Sequence, residues 1–342
     1  MCRQRVALVL SVIALLTVAC GGGEAPRRRG PEPIKIGLLL DSLQEERWQR
    51  DRDLFVERAK ELGAEVLVKE ANRDPALQEQ QARELLAEDV KALVVVPSDT
   101  EKAAAIVAAA AEKKVPVISY DRLIRNADVA LYVSFDNVKV GRMQAEYLLN
   151  RAPKGNYLLI GGSPTDNNAK LLRQGQMETL KPAIAAGSVR VVGDDWANNW
   201  DPAEAKKQTE AALAKSRNLA AIVASNDHTA DGVVEALEAA NLAGKVLVSG
   251  QDAELTALRR IVKGTQAMTV YKPLRPLARM AAGAAVNMAK GQTEDGLVSI
   301  NNGQKDVPAR LLEPISVDKE TMDRTVIADG YHTRAEVYET GP

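Results

Sequence analysis

The sequence predicts an α/β protein built from two Rossmann-like, doubly wound lobes with parallel sheets. Three observations carry that prediction. Apolar runs of strand length alternate with segments whose apolar residues recur at helical spacing, and this succession starts afresh near the middle of the chain. The 342 residues, 46% hydrophobic and 27% charged, are enough for two sizeable cores. Strands buried on both faces read as nearly continuous apolar runs, as parallel strands covered by helices must.

The chain opens on processing sequence. Arg3 and Arg5 precede an apolar run from Val6 to Ala19, and Thr17-Val18-Ala19-Cys20 is followed by three glycines, the pattern of a secretory leader (1–19) ending in a lipobox. The run is shorter than the roughly 20 residues that span a bilayer. Lipidation is therefore expected at Cys20, although leucine is usual where Thr17 stands. Residues 20–33, rich in Gly, Pro and Arg, read as a tether. Cys2 and Cys20 are the only cysteines, so the folded part has no disulfide or thiolate chemistry.

Strand-like runs then follow at 36–40 (IGLLL), 65–69, 92–96, 115–119 and 130–134, with helical patterns such as Leu54, Phe55, Ala59 and Leu62 between them. A second series occupies 156–162 (NYLLIGG), 189–193, 219–225, 245–250 and 266–270. The tail from 297 to 320 reads as strand-poor and turn-rich, a candidate to cross between lobes. In open parallel sheets ligands sit beyond the carboxyl ends of the strands. The residues placed there are Arg47 and Trp48, Asp121 and Arg122, Asp166 with Asn167 and Asn168, Trp196 and Trp200, Asn226 and Asp227, Asp252, and Lys272.

Each of these has a plainer possible role. Trp48 could begin a buried stripe, but Asp51 and Arg52 follow where the stripe should continue, which favours exposure toward a cleft. Asp121 and Asp252 could be caps or turn formers. One of Asn226 and Asp227 caps the helix expected near Thr229; the cap is assigned to Asp227 and the ligand role to Asn226. Trp200 directly precedes Asp201-Pro202, a cap followed by an N1 proline. His228 and His332, the only histidines, have no second ligand at metal spacing, so no metal is expected.

Carboxylates accept hydrogen bonds, Arg and Lys donate them and amides do both, which matches neighbouring hydroxyls; tryptophan faces suit the C–H face of a sugar ring. Arg47, Arg122 and Lys272 against Asp121 and Asp252 leave one positive charge, which suits a neutral polyol without excluding a sugar phosphate. Lysine plus arginine (45) nearly balances aspartate plus glutamate (46), so nucleic acid is not an expected partner. There is no GxxxxGK[ST], GxSxG or early GxGxxG motif, and carboxylates beside Arg and Lys make poor general acids. Binding without turnover and without a cofactor is the expectation.

The segments EERWQRDRDLFV (45–56), SYDRLIRNADV (119–129), GGSPTDNNAKLLRQGQM (161–177), VASNDHTADG (223–232), SGQDAEL (249–255), GTQAMTVYKP (264–273) and NNGQKDVPARLLEP (301–314) make the chain resemble the bacterial D-xylose-binding proteins. These are exported substrate-binding components of ABC sugar importers in the ribose-type group. The resemblance implies a type I periplasmic binding protein fold with a three-crossover hinge, and lobes at 34–134 plus 271–297 and at 135–270 plus 298–342. It implies that Trp48 and Trp200 sandwich a pyranose, with Arg47, Asp121, Arg122, Asn168, Asn226, Asp252 and Lys272 on its hydroxyls; Asn167 is carried as a further candidate beside Asn168. The implied partners are a monosaccharide, D-xylose foremost, and an ABC permease with its ATPase; the membrane, through lipidated Cys20, is expected from the leader alone, which departs from the free periplasmic form of many relatives. The protein is expected to be an exported monomer. Rival expectations are a receptor for ribose, glucose or galactose, and an exported glycosidase. A sugar-responsive transcription regulator would need a basic DNA-binding module where the leader and tether stand.

Overall fold

The structure is a computed structural model that describes residues 33–295 and 298–339; the leader, Cys20 and the tether through residue 32 lie outside the described residues. The first half of the fold runs β1 (Ile34–Leu40), α1 (Glu46–Glu61), β2 (Ala64–Glu70), α2 (Pro75–Ala87), β3 (Ala92–Val95), α3 (Ala104–Glu112), β4 (Val117–Tyr120) and β5 (Leu131–Phe135). The second continues α4 (Asn137–Arg151), β6 (Gly155–Gly161), α5 (Asn167–Ala185), β7 (Val189–Trp196), α6 (Pro202–Lys215), β8 (Leu219–Ala224), α7 (Asp227–Ala239), β9 (Leu247–Val248) and α8 (Leu255–Lys263). The chain ends with β10 (Thr269–Tyr271), α9 (Leu274–Ala289), β11 (Val298–Asn301), β12 (Asp306–Leu312), β13 (Ile315–Val317) and α10 (Arg334–Tyr338).

The first sheet has the order β11-β12-β5-β4-β3-β1-β2. Its strands are parallel, with Ile36 opposite both Val66 and Ala92, except that β11 runs antiparallel to β12. Ile36, Leu38 and Leu40 point to one face and pack with Phe55 of α1 and Leu277, Ala281 and Ala285 of α9. Leu39, Leu93 and Val95 point to the other and pack with Leu85 of α2 and Ile106 of α3. The period-2 alternation of β1 thus feeds two separate cores, which is why the strand is apolar throughout.

The second sheet, β7-β6-β8-β9, is also parallel and covered on both faces, by α6 and α7 on one side and α4 and α5 on the other. Gly141 and Gly175 let α4 and α5 approach closely: a Cβ on Gly141 would lie 2.0 Å from the Leu172 carbonyl oxygen, and one on Gly175 would lie 1.9 Å from that of Val138. The chain passes between the halves after β5, after β10 and after β12.

Two expectations about the tail are corrected. It is not strand-poor, and residues 298–312 do not join the second half: β12 pairs in parallel with β5 (Ala309 opposite Tyr132) and β11 closes a hairpin on it. Asn302 anchors the turn, its Nδ2 donating to the carbonyls of Ile124 (3.1 Å) and Ala127 (2.7 Å) while its Oδ1 accepts from the Gln304 and Lys305 amides. The expected fifth strand of the second sheet, β10, instead pairs antiparallel with β13. Among the described residues no helix is long and apolar enough to cross a membrane.

Candidate functional site

The strand ends of the two halves meet around one small pocket lined by Glu45, Arg47, Trp48, Asp121, Arg122, Asp166, Asn168, Trp200, Asn226, Gln251, Asp252 and Lys272. Nine of the ten residues expected to hold a ligand are among them. Asn167 is not: it is the first residue of α5 and only partly buried, because the Asp166 side chain caps the helix through the Asn168 amide and directs Asn168 inward. The assignment at 226–227 is also corrected. Asn226 is the cap, its Oδ1 accepting from the Thr229 amide at 2.9 Å, which leaves its Nδ2 for the pocket. The Asp227 carboxylate is taken up by Gln266 Nε2 and Thr269 Oγ1, each at 2.8 Å, and by the Glu254 amide at 3.0 Å.

Arg47 is the hub. Its guanidinium donates to Asp252 (3.0 Å), Asp51 (3.0 Å) and Asp121 (2.8 Å), joining both halves of the molecule. Arg122 donates to Asp41 at 2.6 Å and to the Pro97 carbonyl at 3.1 Å, and its Nε lies 2.8 Å from Asp166 across the cleft. Lys272 Nζ is 2.9 Å from Asp252 and 3.8 Å from Asp121. Asn168 Nδ2 donates to both the side chain and the backbone carbonyl of Asp121, each at 3.0 Å, and the Thr100 hydroxyl donates to the Thr165 carbonyl at 2.9 Å. Side chains from the two halves are thus in direct contact, a closed arrangement.

Protonation follows from these partners. Burial works to raise the Asp121 pKa, but Arg47, Lys272 and Arg122 outweigh it and bring the carboxyl down to about 2. Asp51, buried deeper on α1, is pushed up to about 6 by burial despite Arg47 and the Tyr120 hydroxyl. Burial likewise holds Asp166 above the usual carboxylate range against the pull of Arg122. Burial would lower the Arg47 pKa, yet Asp121, Asp252 and Asp51 keep it firmly protonated.

Trp48 is corrected from exposed to buried, at 4% exposure: it packs in the first core while its ring lines the pocket, with the guanidiniums of Arg47 and Arg122 at 4.1 and 5.3 Å from its centroid. Trp200 is 6% exposed, and its indole donates to Asp166 Oδ2 at 3.2 Å. Asp121, Trp200 and Asp252 all have positive φ (60°, 59° and 96°), a left-handed backbone that costs a non-glycine residue about 1–3 kcal/mol. Three strained residues lining one pocket mark where the fold gives up stability to aim side chains.

Sequence reasoning missed Glu45 and Gln251, and weighed Asp166 without retaining it. Glu45 and Gln251 immediately precede chosen residues or their neighbours, and no periodicity separates them from ordinary loop residues. The acids around the pocket change the electrostatics. Arg47, Arg122 and Lys272 face Asp41, Asp51, Asp121, Asp166 and Asp252, while Glu45 is paired with Arg73 at 2.7 Å. The excess is negative, not positive, which disfavours a phosphorylated ligand. Four lining residues also carry a buried polar atom without a hydrogen-bond partner among the described residues: Glu45 Oε2, Arg47 Nε, Asn168 Oδ1 and Gln251 Oε1. Three acceptors and one donor around a small space, between two indoles, suit a compact molecule bearing several hydroxyls.

The chain belongs to the periplasmic binding proteins: residues 36–293 match the family described as a periplasmic binding protein domain. Its relatives include the D-xylose-binding periplasmic protein of Escherichia coli, 48% identical over 305 residues (89% of this chain and 92% of that protein). The D-xylose-binding periplasmic protein of Haemophilus influenzae is 46% identical over 331 residues, covering 96% of this chain and 98% of that protein. Among solved structures, a carbohydrate transporter solute binding protein from Chloroflexus aurantiacus in complex with D-glucose superposes with a TM-score of 0.84 at 32% identity, covering 90% of this chain and 98% of that one. The two-lobed fold and the resemblance read from the sequence are both borne out.

Proposed function

We propose that the chain captures a neutral pyranose, D-xylose foremost, between its two halves and presents the closed form to an ABC import permease and its ATPase. The observation that carries this reading is the set of four orphaned polar atoms in a pocket whose charge excess is negative. A buried polar group without a partner costs about 1–3 kcal/mol. Closure alone therefore strands several such groups, and a sugar that supplies hydroxyls to them favours the closed form over the open one. The names of the two relatives near half identity support D-xylose as the sugar. With about ten heavy atoms and a ceiling near 1.5 kcal/mol per atom, a pentose can reach submicromolar affinity.

In this reading Arg47, Asp121, Arg122, Asn168, Asn226, Asp252 and Lys272 bind hydroxyls, with Trp48 and Trp200 as the walls. Residues 1–19 direct export and Cys20 carries a lipid that holds the protein at the outer face of the cell membrane, acting as a monomer. The first lobe comprises 34–134, 271–295 and 298–312, and the second 135–270 with the remainder of the tail. The test is a calorimetric panel of D-xylose, D-ribose, D-glucose and D-galactose. The expected result is tightest binding of D-xylose; no heat with D-xylose but clear saturation with another sugar would reassign the ligand.

A further inference from the structure

A second cluster follows two pocket residues along the chain, on α7 just after Asn226 and in the loop just after Asp252. His228 and Asp231 stand one turn apart on α7, with His228 Nδ1 3.7 Å from Asp231 Oδ2. Glu254, at the end of the loop before α8, closes the group, so that one donor atom from each of the three residues lies within 4.8 Å of the other two. Glu254 is 7% exposed, and its Oε1 has no hydrogen-bond partner among the described residues. Asp231 is already oriented, because Arg260 donates to its Oδ1 and leaves Oδ2 toward His228.

We propose that His228, Asp231 and Glu254 form a binding site for one divalent metal ion of the zinc class. One imidazole nitrogen and two carboxylate oxygens with room for water are a donor set that zinc accepts, at about 2.0–2.2 Å per bond. Tetrahedral ligation brings donor atoms to about 3.4 Å from one another, so the cluster needs only side-chain rotation. His228 and Asp231 are partly exposed, with side chains at 24% and 34%, which gives the ion an entry path. Asp227 is engaged elsewhere, both its oxygens accepting hydrogen bonds from Gln266, Thr269 and the Glu254 amide. Sequence spacing hid the site because Glu254 is far along the chain from His228.

The test is calorimetric titration of the chelator-stripped protein with zinc chloride, alongside Glu254→Gln and His228→Ala, with circular dichroism to check folding. His228 is partly exposed, so its variant keeps the test informative if burial makes Glu254→Gln unstable. The expected result is one saturable site per chain, weakened more than tenfold in His228→Ala and in any folded Glu254→Gln. No saturable binding by the wild-type protein, or unchanged binding in either folded variant, would overturn the proposal.

Discussion

Gly162→Ala is a small change aimed at one wall of the pocket. Gly162 follows β6 and lies flat against the Trp200 indole: a Cβ there would be 2.2 Å from both Cη2 and Cζ3 and 2.4 Å from Cε3. Ordinary contact begins near 3.4 Å, so the ring must retreat by about 1.2 Å. Gly162 blocks one face of the ring, and the retreat is into the pocket that Trp200 lines. A gap error of 0.5–1 Å already forfeits about a quarter to a half of a contact's dispersion energy, and overlap is worse. The ring would also strain its hydrogen bond to Asp166, 3.2 Å long in the native arrangement. Together these amount to about 1.4–2.8 kcal/mol, a 10- to 100-fold rise in the dissociation constant for D-xylose. Calorimetric titration measures it, and a thermal melt separates it from loss of the fold, which should fall by no more than about 3 kcal/mol. Affinity within twofold of wild type would mean that the Trp200 ring does not bound the ligand.

Three further outcomes follow from the same geometry. Arg47→Ala leaves Asp51, Asp121 and Asp252 without their shared guanidinium and should cost about 3–5 kcal/mol in urea unfolding, besides abolishing sugar binding. Burial raises the Asp51 pKa in the folded protein to about 6, above the ordinary 3.8 of an aspartate, so its contribution is fully present below about pH 4 and is lost as pH rises through 6. Stability of the wild type relative to Asp51→Asn should therefore fall across that window, by about 3 kcal/mol, in denaturant titrations at pH 4 and 7; a flat difference would contradict the shift. Asn302→Ala removes two hydrogen bonds that tie the β11–β12 turn to the loop after β4 and two more within the turn, and should lower stability by about 2–4 kcal/mol while leaving sugar affinity within twofold.

The alternation of apolar runs was legible because strands such as β1 are buried on both faces, and the site was legible because the fold class says where strand ends converge. What escaped the sequence did so for local reasons. In β12 the alternation of Val307 and Ala309, both buried, was masked by Pro308 and by the turn residues around Asn302, which read as loop. Asn226 and Asp227 are chemically near-equivalent caps, and only the hydrogen bonds of Gln266 and Thr269 to Asp227 decide between them. Trp48 could not be placed by its helix pattern because Asp51, which follows it, is a partner of Arg47 and not solvent-facing, at 1% exposure. Glu45 and Gln251 carry no pattern at all, and their role depends on contacts across the cleft.

The central claim is that one sugar supplies partners to both halves and thereby holds them closed. Small-angle X-ray scattering during a D-xylose titration tests it most directly. The account predicts that the radius of gyration falls on adding the sugar, saturates at one equivalent in step with the calorimetric heat, and stays unchanged in Arg47→Ala. Saturable binding of D-xylose with no change in the radius of gyration would contradict it.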